Sequence, residues 1–157
     1  MKTRRFQIFL FLLSLAALVS LMLLSVSAAD YDVYVNGVRV TSDNCGSIPC
    51  AAGSASYNFN TKTLTLKNAR INSKSQYYSS PDRWAGIYSE YPLNIVVEGN
   101  AVIEAAGFFD MDMLCAIYCG DALSISGSGT LTVNIGDSKD AVINSEYGIY
   151  CRYLSSL

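Results

Sequence analysis

Tyr88, Tyr118 and Tyr150 recur in one local setting: a small residue, Ile, Tyr, and a small residue again. The copies are Gly86-Ile87-Tyr88-Ser89, Ala116-Ile117-Tyr118-Cys119 and Gly148-Ile149-Tyr150-Cys151, the second and third falling 30 and 32 positions on. Side chains alternate along a strand, so Ile shares a face with the following Ser or Cys, and Tyr shares the other with the preceding Gly or Ala. Isoleucine beside a small, often buried partner marks the core side. The tyrosines are then expected to point outward, stacked at the spacing of neighbouring strands, about 4.8 Å. Such a row has two readings. It is an aromatic ladder that stiffens the sheet, each pair adding about 0.2–1 kcal/mol. Or it is a platform for a ligand with flat apolar faces, such as a pyranose ring, because exposed apolar patches mark binding sites. Asn94, Glu98 and Asn100 are candidate partners for sugar hydroxyls.

Other chemistry is sparse. The chain has no histidine, which removes Ser–His and Cys–His nucleophilic catalysis and histidine-based metal sites together. Asp110 and Asp112, two positions apart in Phe108-Phe109-Asp110-Met111-Asp112-Met113, are the metal hint, and calcium is the ion their oxygens suit. Solvated carboxylates are the competing reading, and the spacing matches no EF-hand loop. No catalytic residue is assigned.

Five cysteines are an odd number for an exported chain, so at least one is free or pairs with another molecule. Cys45 and Cys50 bracket the turn-rich Gly46-Ser47-Ile48-Pro49, a loop short enough to close as a local disulfide; bonded and free states stand equally open. Cys119 and Cys151 are expected to stack in adjacent rungs with Cβ atoms about 4.8 Å apart. A disulfide wants about 3.8 Å, which favours stacked free thiols.

The elements that hold these residues are short strands. Asn36-Gly37 sits between the alternating runs Val33–Val35 and Val38–Val40, a strong hairpin signal because both turn residues need positive φ. This hairpin, residues 30–40, is expected to cap the N-terminal end. Phe59-Asn60-Thr61-Lys62 reads as a turn, and Thr63-Leu64-Thr65-Leu66-Lys67 alternates after it. From about residue 57 each repeat supplies roughly three short strands: the Ile-Tyr strand, a Leu-x-Ile strand (Leu93-Asn94-Ile95, Leu123-Ser124-Ile125) and a third near Ile103 or Leu131-Thr132-Val133. No helical period appears in residues 30–157. Repetition about every 30 residues with Gly, Ser and Asn corners points to an all-β fold, a right-handed parallel β-helix, with a β-sandwich as the alternative.

Lys2, Arg4 and Arg5 precede an almost wholly apolar run from Ile8 to Leu24, and Val26-Ser27-Ala28 offers small residues for cleavage. That order is a secretory signal peptide over residues 1–28, leaving 29–157 as one domain that is secreted or held at the cell surface. An uncleaved signal anchor is the alternative, since about 20 apolar residues span a bilayer. Without the leader the formal charge goes from −2 to −5. An acidic chain with no basic cluster excludes nucleic acid and anionic membranes as partners.

Taken in order, Tyr31-Asp32-Val33-Tyr34-Val35-Asn36-Gly37-Val38, Thr63-Leu64-Thr65-Leu66-Lys67-Asn68-Ala69, Gly86-Ile87-Tyr88 and Leu123-Ser124-Ile125-Ser126-Gly127-Ser128-Gly129-Thr130-Leu131-Thr132-Val133 resemble exported β-helix proteins of Gram-positive anaerobes, the carbohydrate-binding-domain-containing proteins. The resemblance covers most of the chain after the leader. It implies a pectate-lyase-like β-helix that binds polysaccharide, with calcium at loops in some members. Two departures stand out: cysteines occupy what looks like a Ser or Ala position, and a third repeat begins at Tyr147 while the sequence stops at Leu157. An exposed last rung is a pairing hazard, so the expectation is that the chain continues or that this rung pairs with something else.

Three functions compete on this reading. The first is an exported polysaccharide-binding or cell-surface module without catalysis, with a polysaccharide or cell-wall glycan as partner and Tyr88, Tyr118 and Tyr150 as the ligand-binding row. The second is a structural stalk or spacer of the envelope. The third, a polysaccharide lyase, needs a positioned base, and the basic residues after Arg83 are only Lys139 and Arg152.

Overall fold

The structure is a computed structural model that describes Arg4, Gln7 and residues 27–72, 75–77, 80–107, 113–137 and 146–156. The expected leader therefore lies outside the described residues except for Arg4, Gln7, Ser27 and Ala28. No helix among the described residues is long and apolar enough to cross a membrane.

The protein is all-β, and its strands form one mixed, open sheet. The alternation of Val33 and Val35 with Tyr34 makes β1 (Asp30–Val35), and Val38 and Val40 around Arg39 make β2 (Val38–Thr41). The Asn-Gly turn joins them: Asn36 and Gly37 have φ of 53° and 79°, and Val35 pairs with Val38. β3 (Ala52–Asn58) turns at residues 59–62 into β4 (Thr63–Ile71), again antiparallel, with Asn58 opposite Thr63. In that turn Asn58 Oδ1 accepts from the backbone N–H of Asn60 at 3.0 Å.

From β4 onward the long pairings are parallel. β5 (Ser75–Tyr77) folds back on β6 (Ser80–Ser89); β7 (Leu93–Glu98), β8 (Asn100–Gly107), β9 (Met113–Ser126), β10 (Thr130–Asp137) and β11 (Glu146–Ser156) follow. Ile87 lies beside Ile117, and Ile117 beside Ile149. Leu64 lies beside Ile95, and Ile95 beside Ile125. Ile71 lies beside Ile103, and Ile103 beside Val133. Partners in these three ladders are 30–32 positions apart. The antiparallel strands cover the early edges: β1 pairs with β6, Val35 against Ile87, and β3 pairs with β4.

The corners between ladders need left-handed backbone. Asn68 has φ of 48°, and its Oδ1 accepts from the N–H of Asn100 at 3.0 Å. The next two corners use glycine, Gly99 at 70° and Gly127 at 112°. A Cβ on Gly127 would stand 2.3 Å from the carbonyl oxygen of Val97, so the corners stack too closely for any side chain there.

Leu64, Leu66, Ile71, Ile87, Ile95, Ile103, Ile117 and Leu123 are fully buried in one apolar cluster. Each such side chain is worth about 1.5–3 kcal/mol relative to exposure. Ser89 and Cys119 are buried with their isoleucines, as the alternation predicts. The small residue before each isoleucine does not take the tyrosine side, however. Ala116 packs in the isoleucine cluster, and a Cβ on Gly86 would meet Ile103 Cγ2 at 3.0 Å. Ala85 and Cys115 join Tyr88 instead. Two consecutive residues thus face inward, because strict alternation breaks at Gly86 and Ala116. Burial also fades toward β11, where Ile149 is 39% exposed although Ile87 and Ile117 are at 0%.

Candidate functional site

The tyrosine row forms as a stack. Rings of Tyr88 and Tyr118 lie 5.3 Å apart at 14°, and those of Tyr118 and Tyr150 lie 5.1 Å apart at 1°. The in-register parallel pairing of β6, β9 and β11 sets this spacing. Tyr88 is not outward in the sense expected of a platform: it is 2% exposed, because the hairpin lays Tyr34 edge-on against it at 5.8 Å. Its hydroxyl donates to Glu90. Burial, followed by that bond and the Glu90 charge, holds the Tyr88 phenol far above the ordinary tyrosine range. Tyr118 is half-buried and Tyr150 is exposed. Since the rings present their faces to one another, a sugar ring would meet mainly edges. The row has the geometry of a ladder.

Two of the three candidate sugar partners, Asn94 and Glu98, are engaged elsewhere. Asn94 Nδ2 donates to the Thr61 carbonyl at 3.0 Å, and Ser124 Oγ donates to Asn94 Oδ1 at 2.6 Å. Glu98 lies 3.7 Å from the Lys67 ammonium.

No disulfide joins the described cysteines. Cys45 and Cys50 do not form the local disulfide weighed from their spacing; each Sγ is directed to a nearby carbonyl, Cys45 to Ser42 and Cys50 to Ile48, both at 3.6 Å. Cys151 pairs in register with Cys119. Cys119 Sγ donates to the carbonyls of Tyr91 and Ala122 at 3.3 and 3.4 Å, and burial pushes its thiol up. Asp110 and Asp112 lie outside the described residues. Among the described residues no group of three or more His, Cys, Asp or Glu is placed to hold a metal ion.

A second aromatic cluster was not singled out by spacing. Tyr31 and the flanking Asp30 and Asp32 come from β1, Tyr57 from β3, Phe59 and Lys62 from the β3–β4 turn, and Tyr91 from the β6–β7 connection. Together they line a cleft of about 220 Å³. That is below the roughly 300 Å³ at which drug-sized pockets begin, a size suited to one ring of a longer ligand. Tyr31 stacks on Phe59 at 4.8 Å and 19°, and tilts against Tyr57 at 5.7 Å. Phe59 and Tyr91 are each 53% exposed, so part of each ring is open to a ligand. Lys62 Nζ stands 6.0 Å from the Tyr91 ring centroid, within the range of a cation–π contact. Burial, then the neighbouring Tyr31, raises the Tyr57 phenol above its ordinary value.

The carboxylates of the cleft are held by a backbone N–H and by Arg39. Asp30 Oδ1 accepts from the N–H of Asp32 at 2.9 Å, and Arg39 pairs with both carboxylates. Asp32 and Lys62 have φ of 52° and 51°. Non-glycine residues in that region cost about 1–2 kcal/mol each, and strain of this kind gathers at functional sites. A sequence signal did exist, an aromatic in the turn (Phe59) and aromatics on the early strands. What brings them together is the pairing of the N-terminal hairpin with β6, across about 50 positions of chain. The arrangement offers apolar ring faces beside one ammonium and two oriented carboxylates, a combination for binding a polyhydroxylated ring by stacking and hydrogen bonds. No family model, curated protein or solved structure matches the chain.

Proposed function

We propose that the protein is an exported, non-catalytic module that binds polysaccharide, built as a right-handed β-helix with its N-terminal hairpin as cap. The single observation that carries the binding reading is the cleft, where the partly exposed rings of Phe59 and Tyr91 stand beside Lys62, Asp30 and Asp32. Three parallel ladders with partners 30–32 positions apart support the β-helix. The leader pattern of residues 1–28 supports export, and the order of motifs resembling carbohydrate-binding β-helix proteins supports the ligand class. On this reading the cleft takes the sugar, and Tyr88, Tyr118 and Tyr150 act as the ladder that stiffens the face.

Affinity electrophoresis in gels cast with neutral and acidic polysaccharides tests the reading. The wild type is expected to be retarded by at least one glycan, and Phe59→Ala or Tyr91→Ala to weaken binding at least about tenfold, the equivalent of 1.4 kcal/mol. Tyr150→Ala is expected to leave binding unchanged. Full retention by a Phe59→Ala/Tyr91→Ala double variant would sink the cleft, and release of unsaturated sugar products would overturn the non-catalytic assignment.

A further inference from the structure

The cleft gathers two negative and two positive side chains. Asp30, Asp32 and Lys62 line it, and Arg39 of β2 pairs with both carboxylates. Asp30 is fully engaged: its Oδ1 accepts from the N–H of Asp32 at 2.9 Å, and its Oδ2 meets the Arg39 guanidinium. The same guanidinium reaches Asp32 Oδ1 at 3.3 Å. Arg39 also lies 5.7 Å over the ring of Tyr34, the residue that covers Tyr88. Among the described residues, Asp32 Oδ2 accepts no hydrogen bond.

Lys62 supplies the remaining charge. No carboxylate of the described residues forms an ion pair with its ammonium. The turn fixes its place: its N–H donates to the Phe59 carbonyl at 3.3 Å, and its carbonyl accepts from the Asn94 N–H at 2.9 Å. At φ of 51° a glycine would be less strained, so the turn itself gives no reason for a lysine.

We propose that this cleft is charge-balanced for an uncharged sugar ring and discriminates against uronates and amino sugars. The proposal rests on the cleft being the glycan site. A hydroxyl both donates and accepts, so neighbouring hydroxyls of one ring accept from Lys62 and donate to Asp32 Oδ2. A uronate carboxylate gains Lys62 but faces Asp30 and Asp32. A sugar ammonium gains the two acids but faces Lys62 and Arg39. Either charged group gives up water to enter and meets a like charge, which is selection by repulsion. The formal charge of −5 over residues 29–157 adds to the repulsion of polyuronates but attracts amino sugars. Lys62 and Arg39 are therefore the groups that turn amino sugars away.

Titration calorimetry of the chain recovered from an exporting host tests this. The probes are short neutral oligomers of glucose, mannose or xylose, and galacturonate and glucosamine oligomers of equal length. The pH is mildly acidic, so that the amines are protonated and the carboxylates ionised. At least one neutral series is expected to bind about tenfold tighter than either charged series. Asp32→Asn, tolerated at φ of 52° because asparagine adopts left-handed backbone, is expected to shift relative affinity toward galacturonate. The shift is about fivefold, the effect of one charge at about 4 Å in water. Lys62→Gln is expected to shift it equally toward glucosamine, and the double variant, balanced again, to restore the wild-type order. Wild-type affinity for the neutral oligomer, which needs no substitution, is expected to stay within about twofold from about 0.05 to 0.5 M salt. Charged oligomers binding as tightly as neutral ones, unmoved ratios in both single variants, or a steep salt dependence would overturn the charge matching and leave the cleft as the glycan site. Binding of none of the three classes would overturn both.

Discussion

Tyr88 donates its hydroxyl proton to Glu90, two residues further on, while Tyr34 of the hairpin covers its ring from the side. One phenol thus ties the end of β6 to the cap and begins the stack that runs on through Tyr118 and Tyr150. Tyr88→Phe keeps the ring and removes the bond to a charged acceptor, a loss of about 2 kcal/mol. Urea unfolding at neutral pH is the measurement.

The same phenol sets an alkaline limit. Its folded pKa lies above the unfolded value of about 10, so the folded state favours the neutral form. That contribution is fully present below about pH 10 and is lost as pH rises through the folded pKa. Unfolding free energy is therefore expected to fall with pH above about 10, and to fall less steeply in Tyr88→Phe.

Lys62 is held at φ of 51° beside the cleft. Lys62→Gly relieves about 1 kcal/mol of backbone strain, partly offset by the greater freedom of glycine in the unfolded chain. The expected outcome is stability equal to or slightly above wild type by thermal melting, together with weakened glycan retardation. Loss of both stability and binding would assign Lys62 to the fold alone.

Gly127 makes the opposite case. Its φ of 112° and the 2.3 Å approach of a Cβ to the Val97 oxygen leave no room. Gly127→Ala is expected to destabilise by more than about 2 kcal/mol, read by chemical denaturation.

Thiol labelling reports the core directly. Cys115 and Cys119 are buried, while Cys45, Cys50 and Cys151 are half-buried. A colourless disulfide reagent that releases a chromophore is expected to react with the latter three in the native chain, Cys50 slowly because burial raises its thiol. Cys115 and Cys119 are expected to react only on unfolding.

Much of the architecture was legible in the linear chain because it depends on local chemistry. Asn36-Gly37 dictates a turn with two positive φ values, Leu64 and Leu66 alternate across Thr65, and the spacing of Ile87, Ile117 and Ile149 sets the parallel register found between β6, β9 and β11. Those features follow from backbone sterics and from a side-chain period of two. The inward turn of Gly86 and Ala116 was not legible, since a corner that breaks alternation leaves only a small residue as its trace. The burial of Tyr88 was not legible either, because it depends on which strand the hairpin chooses to pair. Tertiary pairing also moved the candidate binding surface. Tyr31, Tyr57, Phe59 and Tyr91 carry no common spacing, and only the meeting of the hairpin, the β3–β4 turn and the β6–β7 connection makes them one cleft. Local residue types determined where this chain bends and which faces are apolar; long-range strand pairing decided which aromatic faces were left open to solvent.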